Sequence, residues 1–213
     1  MATGLRERKK QQTRELIAET ARQLFAERGF ERVTVAEIAR VADVSEKTVF
    51  NYFPTKEDLV YWRLESFEEE LLGTVRDRAA GESVLDAFGT FVRRPRGMLG
   101  EYDREAQERL AALTRMIVES PSLLRREQEI FEGYTASLAG LLAEETGAAV
   151  DDVEPWVAAT ALMGVHRRLV DFARGRIVAG ARHPAIAGEV RDQAERALAL
   201  LRHGLGGYAV KEP

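Results

Sequence analysis

Apolar residues recur every three to four positions along nearly the whole of this 213-residue chain, and strict alternation of apolar and polar residues is absent. This spacing places apolar side chains on one face of an α-helix, whereas a half-buried strand requires a period of two. We therefore predict an all-α protein. The sequence contains no cysteine, which excludes disulfides, thiolate metal sites and cysteine nucleophiles.

Residues that begin and end helices are concentrated near the N-terminus. A first helix is predicted to end at Gly29. Thr34 and Glu37 have the spacing of a capping box and begin a short helix, and Ser45 can cap a second short helix. Thr55 is predicted to cap a long helix that follows. Two short helices joined by a tight turn and braced by a third indicate a helix-turn-helix.

The predicted organisation is a small N-terminal domain followed by a larger helical domain. The three-helix helix-turn-helix domain covers residues 11–71, with its motif at about 34–53 and a basic arm at 1–14, and the second domain covers 72–213. Residues 1–56 carry a net charge of +3 and the remainder −7. This asymmetry is typical of a nucleic-acid-binding module joined to another domain.

The second short helix has side chains suited to the major groove of DNA. Asn51 can pair with adenine, Lys47 with guanine or phosphate, and Lys56, at a helix start, with phosphate. The arm can add phosphate or minor-groove contacts. The predicted DNA contacts are Thr34, Val35, Ser45, Glu46, Lys47, Thr48, Asn51, Tyr52, Lys56, Arg6, Lys9 and Lys10. The competing interpretation is a three-helix packing element with an ordinary polar face.

About residues 11–72 resemble the N-terminal domain of the TetR (tetracycline-repressor) family. The resemblance rests on elements that occur in the family's order and spacing: Gly29-Phe30, Thr34 to Ala39, Val44-Ser45 and Tyr52-Phe53-x-x-Lys56-Glu57. Many members have Tyr at the position of Phe50, where its hydroxyl meets DNA. Because Phe50 has no hydroxyl, we expect it to pack within the fold. Glu46 is expected to favour the N-terminus of its helix.

The resemblance implies a homodimer in which the last two helices of each subunit form a four-helix bundle. The residues support this independently, because the predicted helix 151–176 is apolar around much of its circumference and therefore has two partners to pack against. A monomer whose helices pack only on each other is the alternative. The candidate interface residues are Val165, Leu169, Phe172, Val190, Ala194, Ala197, Leu198 and Leu201.

The family also implies a small-molecule site among the middle helices. The candidate residues are Phe88, Phe91, Met98, Tyr102, Met116, Phe131, Tyr134, Trp156, Met163 and His166. For each of them, a place in the ordinary core is the competing explanation. Because most of these side chains are apolar or aromatic, the composition favours a hydrophobic effector with few polar groups.

These features predict a dimeric transcriptional repressor that a small, largely hydrophobic effector releases from a palindromic operator on double-stranded DNA. The alternative is a helical ligand-binding or scaffold protein without specific DNA recognition. No nucleotide-binding or nucleophile motif is present and the histidines lack metal-ligand spacing, so no enzyme, metal or cofactor is expected. No signal peptide or apolar run of ~20 residues is found, so we expect a cytoplasmic protein without membrane contact.

Overall fold

The computed structural model describes residues 2–62, 65–94, 104–181 and 183–204. Within these ranges every regular element is helical, which confirms the all-α prediction. The helices are α1 (Ala2–Arg28), α2 (Val35–Val41), α3 (Glu46–Tyr52), α4 (Asp58–Tyr61), α5 (Glu65–Arg76), α6 (Val84–Arg93), α7 (Arg104–Glu119), α8 (Pro121–Thr146), α9 (Glu154–Val178) and α10 (His183–His203). Among the helices so described, none is both long and apolar enough to cross a membrane.

The chain divides into two compact units. The first contains Met1–Glu65 and Arg115–Gln128, and the second contains Ser66–Thr114 and Glu129–Pro213. The expected N-terminal domain differs from the first unit in two ways: residues 66–71 belong to the second unit, and the end of α7 with the start of α8 joins the first. Local sequence patterns carry no signal for this addition, because the added residues are remote along the chain.

The first unit is built around α1 to α4. Its fully buried side chains include Ile17 of α1, Ile38 of α2, Val49 of α3 and Leu59 of α4. Leu123 of α8 is also fully buried, and the Tyr61 hydroxyl donates to its carbonyl oxygen at 3.0 Å. The residues from α8 therefore complete the packing of the helix-turn-helix.

The predicted long helix after Thr55 is only partly observed. Thr55 and Asp58 exchange side-chain hydrogen bonds, because the Thr55 hydroxyl donates to Asp58 Oδ2 at 2.8 Å and the Asp58 N–H donates to Thr55 Oγ1 at 3.3 Å. The predicted cap is nevertheless displaced, since α4 begins only at Asp58 and its N-cap is Glu57, which makes no side-chain capping bond. The helix α4 is short, and α5 begins at Glu65, while residues 63–64 lie outside the described part of the chain.

The second unit packs α10 against α9 and α6. Ala173 and Ile177 of α9 and Ile186 of α10 form a buried cluster that also contacts Leu110 of α7. Arg176 of α9 donates to Glu189 of α10 through Nε at 2.5 Å and a second nitrogen at 2.7 Å. This bidentate bond raises the pKa of Arg176 and lowers that of Glu189, and it fixes the two helices against each other.

Candidate nucleic-acid interface

The start of α2 is held by the predicted capping box, which the structure confirms. Thr34 Oγ1 accepts the Glu37 N–H at 3.2 Å, and Glu37 Oε2 accepts the Thr34 N–H at 3.0 Å. Arg28 of α1 also donates to Glu37, at 2.8 Å. The hydrogen bond from the Thr34 backbone, followed by that from Arg28, lowers the pKa of Glu37 to about 2. The ionised carboxylate of Glu37 therefore links α2 to α1 through its hydrogen bond with Arg28.

A tight turn connects α2 to α3. The Val44 N–H donates to the Ala39 carbonyl at 2.9 Å, and Asp43 has a φ of 54°. Ser45 is the N-cap of α3, as predicted, and its Oγ accepts the Thr48 N–H at 3.1 Å. The cap fixes the N-terminal end of α3, which is the end that a recognition helix directs toward base edges.

The helix α3 presents one continuous exposed face. Glu46, Lys47, Phe50 and Asn51 are exposed, whereas Val49 is buried. At ~100° per residue, the exposed residues fall within about 140° of one another, and Val49 points away from them. The predicted contacts Glu46, Lys47 and Asn51 therefore lie together on the accessible side of the helix.

The remaining predicted contacts near α3 are less accessible. Thr48 and Tyr52 are half-buried, and the hydroxyls of Ser45 and Thr48 are 2.8 Å apart and share a hydrogen bond. At the start of α2, Thr34 is exposed and Val35 half-buried. DNA contacts at these positions stay predictions.

Phe50 corrects one expectation. The sequence predicts that it packs within the fold, but its side chain is 47% exposed. The inward position on α3 is taken by Val49, which is 1% exposed, and Phe50, ~100° further around the helix, lies with the exposed residues Glu46 and Lys47.

Lys56, which the sequence predicts as a phosphate contact, has partners within the first unit. Its Nζ donates to the carbonyl oxygens of Phe30 at 2.8 Å and Val33 at 3.1 Å, and lies 4.1 Å from the centroid of the Phe30 ring. Two of the three ammonium donors are thus used inside the first unit. These bonds stabilise the loop between α1 and α2, and the phosphate contact of Lys56 stays a prediction. The acceptors are backbone carbonyl oxygens. Because every residue has one, no sequence pattern predicts which of them lie near the Lys56 ammonium group.

The basic arm is helical. Helix α1 already begins at Ala2, and Lys9 and Lys10 are exposed along it, with Lys10 Nζ 3.9 Å from a Glu7 carboxylate oxygen. A helix with its side chains is ~10–12 Å wide, whereas the minor groove is ~6 Å wide. Insertion of this segment into a minor groove is therefore unsupported, and only the phosphate contacts remain as a prediction. The side chain of Arg6 lies outside the described residues.

An aromatic cluster in the second unit contains several of the effector candidates. The His166 ring lies 4.6 Å from Phe67 and 5.6 Å from Phe131, measured between centroids. Phe67 is also 5.1 Å from Phe91 and 5.4 Å from Tyr134. We call Phe67, Phe91, Phe131, Tyr134 and His166 the aromatic cluster. Phe67 is its central ring, and sequence reasoning missed it because it fits the apolar stripe of its own helix equally well.

The other effector candidates have different surroundings. Phe88, 6.4 Å from Phe91, and Met163 are buried in the second unit. Met116 belongs to the first unit, so it does not join the cluster. Trp156, at the start of α9, is 53% exposed, so it lies outside the buried aromatic core of the second unit. Met98 and Tyr102 lie outside the described residues.

A groove of about 540 Å³ lies between α9 and α10. Four of the predicted interface residues line it: Val165, Leu169, Phe172 and Ala197. The rest of the lining comes from Ala161, Gly164, Arg168 and Gln193. The groove is an apolar surface with two small residues on its α9 side. It coincides with the face on which the sequence predicts a second subunit.

The other predicted interface residues are used mainly inside the subunit. Ala194 and Leu198 are buried, and Leu198 Cδ1 lies 3.1 Å from where a Cβ on Gly89 of α6 would be. Val190 packs against the cluster around Ile186, and Leu201 is half-buried. The burial of Ala194 and Leu198 argues against these two as interface residues, because their stripe of α10 packs within the subunit, where Leu198 lies next to Gly89 of α6. Periodicity identifies an apolar face but not its partner.

Comparison with known proteins agrees with this architecture. Residues 17–61 match the family model described as bacterial regulatory proteins, tetR family. The transcriptional regulator TcmR of Streptomyces glaucescens is 30% identical over 151 residues, which cover 70% of this chain and 67% of TcmR. The transcriptional regulator LuxR of Vibrio harveyi is 57% identical over 44 residues, 21% of this chain and 22% of LuxR.

A solved structure shows the same fold over most of the chain. It is native NalD, the secondary repressor of the MexAB-OprM multidrug efflux pump in Pseudomonas aeruginosa, with a TM-score of 0.55 and 19% identity. The similarity covers 88% of this chain and 97% of NalD. Together with the capped recognition helix and the extended similarity to TcmR, these comparisons identify a DNA-binding transcriptional regulator, and the chain belongs to the TetR family.

Proposed function

We propose that this regulator is a homodimer that represses transcription from a palindromic operator and is released by a small hydrophobic effector. The observation that carries the proposal is the exposed face of α3, with Lys47 and Asn51 side by side behind a Ser45 cap. A seven-residue helix is ~10 Å long and fits a major groove that is ~12 Å wide. The proposed operator is on chromosomal DNA. The proposal therefore also places the protein in the cytoplasm.

The groove between α9 and α10 supports the homodimer. At ~100° per residue, its apolar lining continues along the same face of α9 to Val157, which is 64% exposed. A contiguous exposed apolar surface of this kind marks an interaction site. A second copy is the occupant that we propose, because a two-fold contact covers the same surface on both chains at once. Two-fold symmetry also pairs the recognition helices with the two halves of a palindrome.

The aromatic cluster supports a hydrophobic, planar effector. Phe67 contacts rings from three other helices, so a planar molecule inserted beside it would displace several of them. The helices α7 and α8 each supply residues to both units, so they are the segments through which such a change would reach the helix-turn-helix. The effector can shift the balance between the DNA-binding and the released arrangement of the helices only as far as its affinities for the two arrangements differ.

Selection from a random duplex library with purified protein tests this function. We expect enrichment of an inverted repeat whose half-site centres are ~34–36 Å apart. The enriched duplex, placed upstream of a reporter gene, should then show lower expression when the protein is present. Binding that is indifferent to sequence and vanishes at moderate salt would contradict the proposal, provided that protein refolded free of co-purified ligand behaves in the same way.

A further inference from the structure

The ring of Phe50 lies in the middle of the surface that α3 offers to DNA. On a helical projection Phe50 falls between Glu46 and Lys47, with Asn51 on the far side of Lys47. All of these residues are exposed. A face that enters a groove with Lys47 and Asn51 toward the bases must therefore carry the Phe50 ring in with them.

The ring cannot contribute through polar chemistry. A phenyl group has no hydroxyl to donate to a phosphate, and its largest gain in free energy comes from leaving water against another apolar group. The apolar group that base pairs present in the major groove is the C5-methyl of thymine. The thymine edge is therefore the base edge that best matches this ring.

The neighbouring Thr48 is a weaker candidate for the same contact. Its side chain is half-buried, and its hydroxyl is hydrogen-bonded to Ser45 at the start of α3. The Phe50 side chain is larger, carries no polar group and is about half-exposed. The exposed apolar surface of α3 is thus concentrated at Phe50.

We propose that Phe50 determines operator sequence by packing its ring against the C5-methyl of one thymine in each half-site. This inference rests on the proposed function, because it requires a selected operator. Burying one methyl group contributes ~0.8 kcal/mol, which corresponds to about a fourfold change in affinity. When both half-sites are altered, the expected change is more than tenfold.

Replacement of single thymines by uracil in the selected operator tests the contact, because uracil lacks only the C5-methyl. We expect the unaltered protein to lose affinity about fourfold at one thymine of each half-site. Phe50→Ala should bind the thymine and uracil duplexes equally, and Phe50→Leu should keep part of the preference. Val41→Ala is the matched control, because it also truncates an exposed apolar residue of the helix-turn-helix and should retain full discrimination.

Two results would overturn the proposal. In one, no thymine-to-uracil replacement weakens binding by the unaltered protein, a result that does not depend on whether a variant folds. In the other, Phe50→Ala still loses affinity when thymine is replaced by uracil. That result would mean that the protein senses the methyl group without the Phe50 ring. Both results presuppose that the unaltered protein prefers the selected duplex to a scrambled one. If that preference is absent, the proposed function itself fails, and the two failures are thereby distinguished.

Discussion

Arg126 of α8 donates from Nε to Asp58 Oδ1 of α4 at 2.8 Å, across 68 positions of sequence. The opposite oxygen of the same carboxylate accepts the Thr55 hydroxyl and N–H. Asp58 therefore does two things in the first unit: it holds the turn from Thr55 that leads into α4, and it binds the segment of α8 that joins the helix-turn-helix. The Asp58 side chain is only 14% exposed, so water replaces the Arg126 contact poorly.

The bond between Arg126 and Asp58 should contribute measurable stability. We expect Arg126→Ala to lower the free energy of unfolding by about 1–2 kcal/mol, since a hydrogen bond between charged, partly buried groups is worth more than an exposed pair. Arg125→Ala is the matched control, because Arg125 is its exposed neighbour on α8. Urea unfolding of the two single variants, Asp58→Ala and the double variant would measure the coupling. A coupling energy near zero would contradict the assignment.

Glu37 should make the stability of the protein depend on pH in the acidic range. The pKa of its carboxylate is lowered to about 2 in the folded chain from 4.5, so the folded state favours the ionised form. Its stabilising effect is fully present above pH ~4.5 and is lost as the pH falls toward 2. We expect Glu37→Gln to be less stable than the unaltered protein at pH 6, with a difference that shrinks below pH 4.5.

Denaturant unfolding at a series of pH values would follow that difference. Glu27→Gln, an exposed position of α1, controls for the removal of one negative charge. A difference between Glu37→Gln and the unaltered protein that stays constant from pH 6 to pH 3 would show that the capping box does not stabilise the ionised form.

Asp43 should tolerate glycine better than alanine. Its φ of 54° lies in the left-handed region, which costs residues with a Cβ about 1 kcal/mol or more and costs glycine little. We therefore expect Asp43→Gly to be more stable than Asp43→Ala by about 1 kcal/mol in thermal unfolding. Exposed Ala36, inside α2, should show the opposite order, because glycine weakens a helix interior. The same order at both positions would contradict the turn geometry.

The sequence was sufficient for the features that depend on nearby residues. The capping box of Thr34 and Glu37, the Ser45 cap and the C-terminal Gly29, with its φ of 82°, all follow from residue types at fixed short spacings. The accessible position of Lys47 and Asn51 follows from the same local geometry. The TetR-type helix-turn-helix could therefore be recognised before any tertiary contact was known.

The features that were missed depend on residues far apart in sequence. The acceptors of Lys56 are carbonyls 26 and 23 positions away, and every residue carries a carbonyl. Leu198 lies on a regular apolar stripe, but the stripe does not say whether α6 or a second subunit covers it. Phe50 was expected to pack within the fold because it lacks the hydroxyl that meets DNA in many family members, whereas Val49 occupies the inward position of α3 and Phe50 is exposed.

Lys56→Ala and Lys47→Ala should differ in how their operator affinity depends on salt concentration. If Lys56 braces the loop between α1 and α2, Lys56→Ala should lower stability while leaving the dependence of operator affinity on salt unchanged. Lys47→Ala should leave stability nearly unchanged and reduce the slope of log affinity against log salt by about one if Lys47 binds a phosphate. Thermal unfolding and binding titrations at several salt concentrations measure both quantities. A shallower slope for Lys56→Ala would support its role as a phosphate contact.

Gly164 offers a direct test of the dimer. It is exposed on the α9 side of the groove, and a Cβ added there would meet no atom within 4 Å in the subunit. Gly164→Arg should therefore leave the subunit folded, and helix propensity even favours the change. If the groove holds a second copy, the new side chain would leave a charge buried at the interface, and the dimer should dissociate.

The matched control is Gly140→Arg, because Gly140 is also an exposed helical glycine with open space around its Cα, and it lies on α8 away from the groove. Light scattering should give the mass of one chain for Gly164→Arg and of two chains for Gly140→Arg and the unaltered protein. Operator affinity should fall at least tenfold only for Gly164→Arg, because a single recognition helix loses the second half-site. A stable dimer in Gly164→Arg would place the interface on another face and would leave the groove between α9 and α10 to a different partner.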